Sequence, residues 1–121
     1  MKAKNESEFL ALKLRYETIT IEEIEREWKE DAWENDYLMM HLTGFGSTQT
    51  CSLCSPLINV IEPDCYFCVY ACANNSRCNY DSNKATYRAL YNSQSPSELL
   101  TACRNRAIHM GKVWEKYVKQ V

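Results

Sequence analysis

The sequence predicts a mostly α-helical protein in which two long antiparallel helices, about 20–43 and 96–120, and shorter helices are joined by a cysteine-rich knuckle with little or no β-structure. Three observations carry this expectation. Glycine and proline number only three each in 121 residues, too few for the many tight turns of a sheet sandwich. Two stretches carry complete helix-start signals, and six of the seven cysteines fall between residues 51 and 78. The chain reads as one domain, 1–121, with helical portions at 1–46 and 81–121 flanking a knuckle at 47–80. A hydrophobic content of 45% with 25% charge belongs to a globular chain rather than a disordered one.

In order along the chain, Phe9, Leu10, Leu12, Leu14 and Tyr16 favour a helix over Ser7–Glu17, although their partial alternation also suits a strand. The β-branched run Thr18-Ile19-Thr20 ends it. Thr20 then opens the next helix: Glu23 completes a capping box, and Ile19 with Ile24 occupies the hydrophobic-staple positions. The stripe Ile21, Ile24, Trp28, Ala32, Met39 and Leu42 predicts about 22 helical residues, roughly 33 Å of rod, with Gly44 placed to end it. The acid run from Glu22 to Asp36 reads as a solvated face that complements the helix dipole, not as paired catalytic carboxylates. Trp28 and Trp33 are five apart and cannot both face one core, which makes Trp33 a candidate contact for another protein.

The knuckle is built on Cys51-Ser-Leu-Cys54 and Cys65-Tyr-Phe-Cys68, separated by ten residues. Each CxxC turn aims two thiolates the same way, and four soft ligands suit one tetrahedral Zn(II) in a closed, structural site. Cys51, Cys54, Cys65 and Cys68 are therefore the expected ligands, with Cys78, Cys72 and His41 as alternates. An iron–sulfur cluster uses the same four-cysteine set and stands as the alternative cofactor. Disulfides are disfavoured, because the first residues form no apolar signal segment and a reducing cytoplasm is expected. The paired CxxC resembles zinc ribbons and knuckles in general over about 18 residues, which implies a structural metal. It differs from the fungal six-cysteine binuclear cluster, since Ser55 to Asp64 contains no Lys or Arg.

Beyond the knuckle, Asn74-Asn75-Ser76 predicts a turn, and Asp81 or Ser82 can cap a helix running to Asn92. Tyr87 and Tyr91 sit one turn apart on it, as packing residues or as a stacking platform for single-stranded nucleic acid. The last helix starts at Ser95-Pro96-Ser97-Glu98, where cap, first-position proline and capping-box acid agree. Leu99, Cys103, Ala107, Met110, Trp114, Tyr117 and Val121 form a seam expected to lie along the Thr20–Leu42 helix, with Cys103 a core thiol. Arg104, Arg106, Lys112 and Lys116 fall largely outside the seam, where they could grip phosphate, pair with the acidic second helix, or serve as the candidate contacts for a protein partner's acidic face.

For function, the sequence argues against catalysis. His41 and His109 are the two histidines, and HExxH, Walker and GxSxG motifs are lacking. Cys103 and His109 are six apart on one helix and point in different directions. Residues 1–50 carry six basic against eleven acidic side chains, net −5, while 51–121 carry eight against five, net +3. That basic half is too weakly charged for a protein living on phosphate contacts. The reading is a zinc-stapled helical adaptor that binds another protein, of a size suited to an accessory protein of a phage or mobile element. A zinc-knuckle regulator binding nucleic acid is the alternative. No membrane partner is expected, and a small-molecule substrate is disfavoured.

Overall fold

The computed structural model describes residues 3–28, 38, 42–44, 68–74 and 81–120. They form α1 (Glu6–Thr18), α2 (Ile21–Glu27), α3 (Val69–Asn74), α4 (Asp81–Tyr91) and α5 (Pro96–Val118), with no strand among the described residues. The predicted helical class holds. None of these helices is long and apolar enough to cross a membrane.

The longest of the described helices, α5, is the axle on which α1, α2, α3 and α4 all pack. Its start follows the sequence signal closely: the Ser95 hydroxyl accepts from the Glu98 backbone N–H at 3.2 Å, and Pro96 occupies the first turn, where its missing N–H costs nothing. The Glu98 carboxylate accepts from the Gln94 N–H at 2.7 Å, one residue before the box position. Leu99, Cys103, Ala107, Met110 and Tyr117 are buried as the seam requires. The buried face is wider than the seam, because Ala102, Arg106 and Val113 are also inside. A helix enclosed by several others must bury more than one stripe.

α1 runs antiparallel to α5. At one end the Ala3 N–H donates to the Tyr117 hydroxyl at 2.7 Å, and at the other Arg104 donates to the carbonyls of Tyr16 and Ile19 at 2.8 and 2.5 Å. Those carbonyls belong to the last turn and cap of α1, which the helix leaves without partners. Phe9, fully buried, meets Tyr70 edge-on at 5.1 Å and Trp114 in a stacked arrangement at 6.0 Å. Burying such a ring stabilises the fold by about 1.5–3 kcal/mol.

The expected 20–43 rod is corrected at Trp28. α2 begins as predicted, with the Thr20 hydroxyl accepting from the Glu23 N–H at 3.2 Å and the Glu23 carboxylate returning to Thr20. Ile19 and Ile24, the staple pair, are fully buried. The helix nevertheless stops at Glu27, and Trp28 is extended, with ψ 128°. Ile24 alone of its residues is buried, so little tertiary burial favours elongation of a short helix. Like-charged Glu23–Glu27 and Glu27–Asp31 pairs oppose it further. Trp28 instead packs half-buried against the core. The principal partners of α5 are consequently α1, α3 and α4 as well as α2, rather than one long antiparallel rod.

Helix resumes among the described residues at Leu38 and at Leu42 and Thr43, and both leucines are buried. Gly44 follows at φ 81°, the left-handed conformation that ends a helix cheaply only with glycine. Arg15 reaches across from α1: its Nε donates to the Leu42 carbonyl at 2.6 Å while its terminal nitrogen pairs with Glu23. One guanidinium thus ties α1, α2 and the residues before Gly44. The ion pair holds the Glu23 carboxyl below its ordinary range.

Candidate functional site

Of the expected ligands, Cys51, Cys54 and Cys65 lie outside the described residues, as do the alternates Cys78 and His41 and the candidate contact Trp33. Cys68 is described and stands immediately before α3, buried at 6% exposure. Its carbonyl accepts from the Cys72 N–H at 2.9 Å, which places Cys72 one turn further along the same helix. Among the described residues, no three His, Cys, Asp or Glu side chains converge on one point that could hold a metal.

The Cys68 sulfur has a neighbour that sequence reasoning did not single out. Asn5, fully buried, donates from Nδ2 to Cys68 Sγ at 3.3 Å, and its Oδ1 accepts from the Val69 N–H at 3.0 Å. The nearest signal in the sequence was an ordinary one, an Asn just before a helix, which normally caps that helix. A contact across 63 residues of chain carries no local pattern. The Tyr117 hydroxyl donates to Glu6 at 3.1 Å. Burial pushes the Cys72 thiol up, and burial, with Glu6 beside it, pushes the Tyr117 phenol up.

The candidate partner residues on α5 divide into two groups. Arg106 turns inward at 6% exposure, donating to the Tyr70 hydroxyl and the Thr86 hydroxyl, each at 2.8 Å. Its guanidinium carbon lies 5.2 Å from the Tyr70 ring centre and 5.9 Å from that of Tyr87. Arg104 is engaged with the end of α1, as described. Lys112 and Lys116 face outward. Tyr87 and Tyr91 pair with each other at 4.8 Å, Tyr91 against the core. His109 lies over Tyr70, and burial, followed by the charges of Arg106 and Lys112, pushes it down to about 4. Cys103 is fully buried, its thiol pushed up to about 12 by burial.

Four large aliphatic side chains on α1 and α5 are exposed. Leu14 is 59% exposed on α1 and Ile108 58% on α5, with Leu10 and Val118 also outward. Between the helices runs an open groove of about 320 Å³ lined by Lys13, Glu17, Arg104, Ala107, Ile108 and Gly111. Ile108 is the readable signal, an aliphatic residue off the α5 seam.

No protein-family model, curated protein or solved structure matches the chain.

Proposed function

We propose that this chain is a small, non-catalytic adaptor that binds another protein, its central segment stapled by one structural Zn(II) on Cys51, Cys54, Cys65 and Cys68. The metal half of the reading is supported by the donor set and spacing, four thiols in two CxxC turns ten residues apart. The observation that carries the protein-binding half is the exposure of large aliphatic side chains, Ile108 lining the open groove between α1 and α5 and Leu14 on α1, since exposed apolar surface favours protein contacts. Nucleic-acid binding is the weaker reading, because Arg104 and Arg106 are held by internal carbonyl and hydroxyl groups and so are poorly placed to grip phosphate.

Elemental analysis of untagged protein tests the metal, with about one zinc per chain expected. Cys51→Ala and Cys68→Ala should each behave like chelation, loosening the helices that the staple joins. Zinc-free protein with full helix content would end the metal reading. For the partner, Leu14→Glu combined with Ile108→Glu should abolish stoichiometric co-purification from host extract while leaving the fold intact. Retention of that complex, or steeply salt-dependent DNA or RNA binding in its place, would overturn the adaptor reading.

A further inference from the structure

The chemistry of the groove between α1 and α5 points to the kind of group that fills it. Arg104, Ala107, Ile108 and Gly111 line it from one face of α5, spaced three and four apart, and Lys13 and Glu17 line it from α1. Leu10 and Leu14 stand three positions before Lys13 and Glu17, so the same helical spacing sets both exposed leucines on the α1 bank. From Arg104 to Gly111 the lined stretch is two helical turns, roughly 10 Å. At Gly111, among the described residues, an added Cβ would approach only Lys13 Cε, at 3.4 Å. Internal crowding therefore does not require this glycine, which destabilises the middle of α5 relative to alanine and leaves the groove open.

Charge selects among the partners that could use such a groove. Lys112 and Lys119 follow Ile108 by one and three turns on the outer face of α5, and both are exposed, with Glu115 as the acid between them. Lys13 is paired with Glu17, and Arg104 is held by the end of α1, so the α5 rim carries a net positive charge. A second copy meeting α5 face to face about a two-fold axis would set these lysines against their own counterparts. A partner strand has no edge to join among the described residues, which include no strand. A helix satisfies both demands, because its side-chain ridge fits between two packed helices and acids beside its apolar stripe meet the lysines.

We infer that the α1–α5 groove docks an amphipathic helix of a partner protein, its apolar stripe seated over Gly111 between Leu14 and Ile108 and its acidic flank on Lys112 and Lys119. The inference deepens the protein-binding reading above and rests on it, while being independent of the metal.

Two labelled helical peptides of roughly 15 residues, long enough to form a helix, serve as probes. They share a leucine stripe at i, i+3, i+4 and i+7 and differ in carrying glutamate or lysine beside it. Fluorescence anisotropy with the full chain should show the glutamate peptide binding at least about tenfold more tightly than the lysine peptide. Ile108→Glu should weaken it by about tenfold or more. Lys112→Glu combined with Lys119→Glu should reverse the preference, and Gly111→Leu should block the groove with every charge retained. Equal binding of the two peptides, or no binding of either, overturns the assignment. So does sedimentation showing a dimer that Ile108→Glu dissociates, which would give the groove to a second copy. If Leu14→Glu with Ile108→Glu abolishes the complex from host extract and the peptides bind equally, the acidic helix alone falls; if that complex survives the double substitution, the protein-binding reading itself falls.

Discussion

Arg106 illustrates how a side chain that looks like surface charge can be a core component. Its fork satisfies two hydroxyls from two different helices, Tyr70 on α3 and Thr86 on α4, while two rings flank its charge. Removing it leaves the Tyr70 hydroxyl buried without that donor. Arg106→Met should therefore lower stability by about 2–4 kcal/mol, read as a fall in the urea midpoint at unchanged slope. Arg106→Lys should recover only part of this, since one ammonium cannot reproduce a planar fork. Cys103 is the converse case, a thiol enclosed in the core. Buried and pushed up to about 12, it should resist iodoacetamide at pH 8 until denaturant is added, and Cys103→Ala should bring only a packing loss of about 1–2 kcal/mol. Equal damage from Cys103→Ala and Cys68→Ala would contradict their different assignments.

Acid sensitivity also begins with single groups. His109 sits at about 4 in the folded protein against an ordinary 6.5, so the unfolded chain binds more protons between those values. Its contribution to stability is fully present above pH 6.5, falls as pH drops through the window, and levels off below about 4. Glu23, held below its ordinary range by Arg15, adds a loss of the same sign at lower pH. Urea midpoints measured from pH 7 to 4 should decline in wild type, and His109→Gln should flatten the upper part of that decline.

At the scale of elements, the helix starts were legible because caps are local. Ser95-Pro96-Ser97-Glu98 and Thr20 to Glu23 encode their hydrogen bonds within four residues, and both form. Ser95→Ala should cost about 1 kcal/mol, measurable by thermal unfolding. Helix stops were less legible. Gly44 was readable because φ 81° is open to glycine at little cost; a Cβ there would meet nothing within 4 Å, so Gly44→Ala should cost only the backbone strain, about 1–2 kcal/mol. The stop at Glu27 has neither glycine nor proline to announce it. It follows from what α2 can bury, a quantity that exists only once α5 is in place. The same holds for the C-terminus of α1, where the β-branched run marked the end but Arg104, 85 residues beyond Ile19, supplies its cap.

For the whole molecule, the arrangement around α5 makes one helix the common partner of α1, α2, α3 and α4, so damage to its buried face should reach each of them. Met110→Ala, at a fully buried position midway along it, should cost about 2–5 kcal/mol and lower every probe of unfolding together. The exposed Leu14 and Ile108 should behave oppositely, with polar substitution there changing binding and leaving the unfolding midpoint nearly unmoved.

The sequence by itself determined the helical class, the starts of α2 and α5 and most of the α5 seam, because each depends on spacing within a few residues. Tertiary structure alone decided that Arg104 and Arg106 serve the interior, that Asn5 faces a sulfur 63 residues away, and that the Thr20 helix ends at Glu27. Those outcomes turn on which groups burial deprives of water. A buried hydroxyl, carbonyl or sulfur takes the donor that the packed helices bring within reach, and no local pattern states in advance which one that will be.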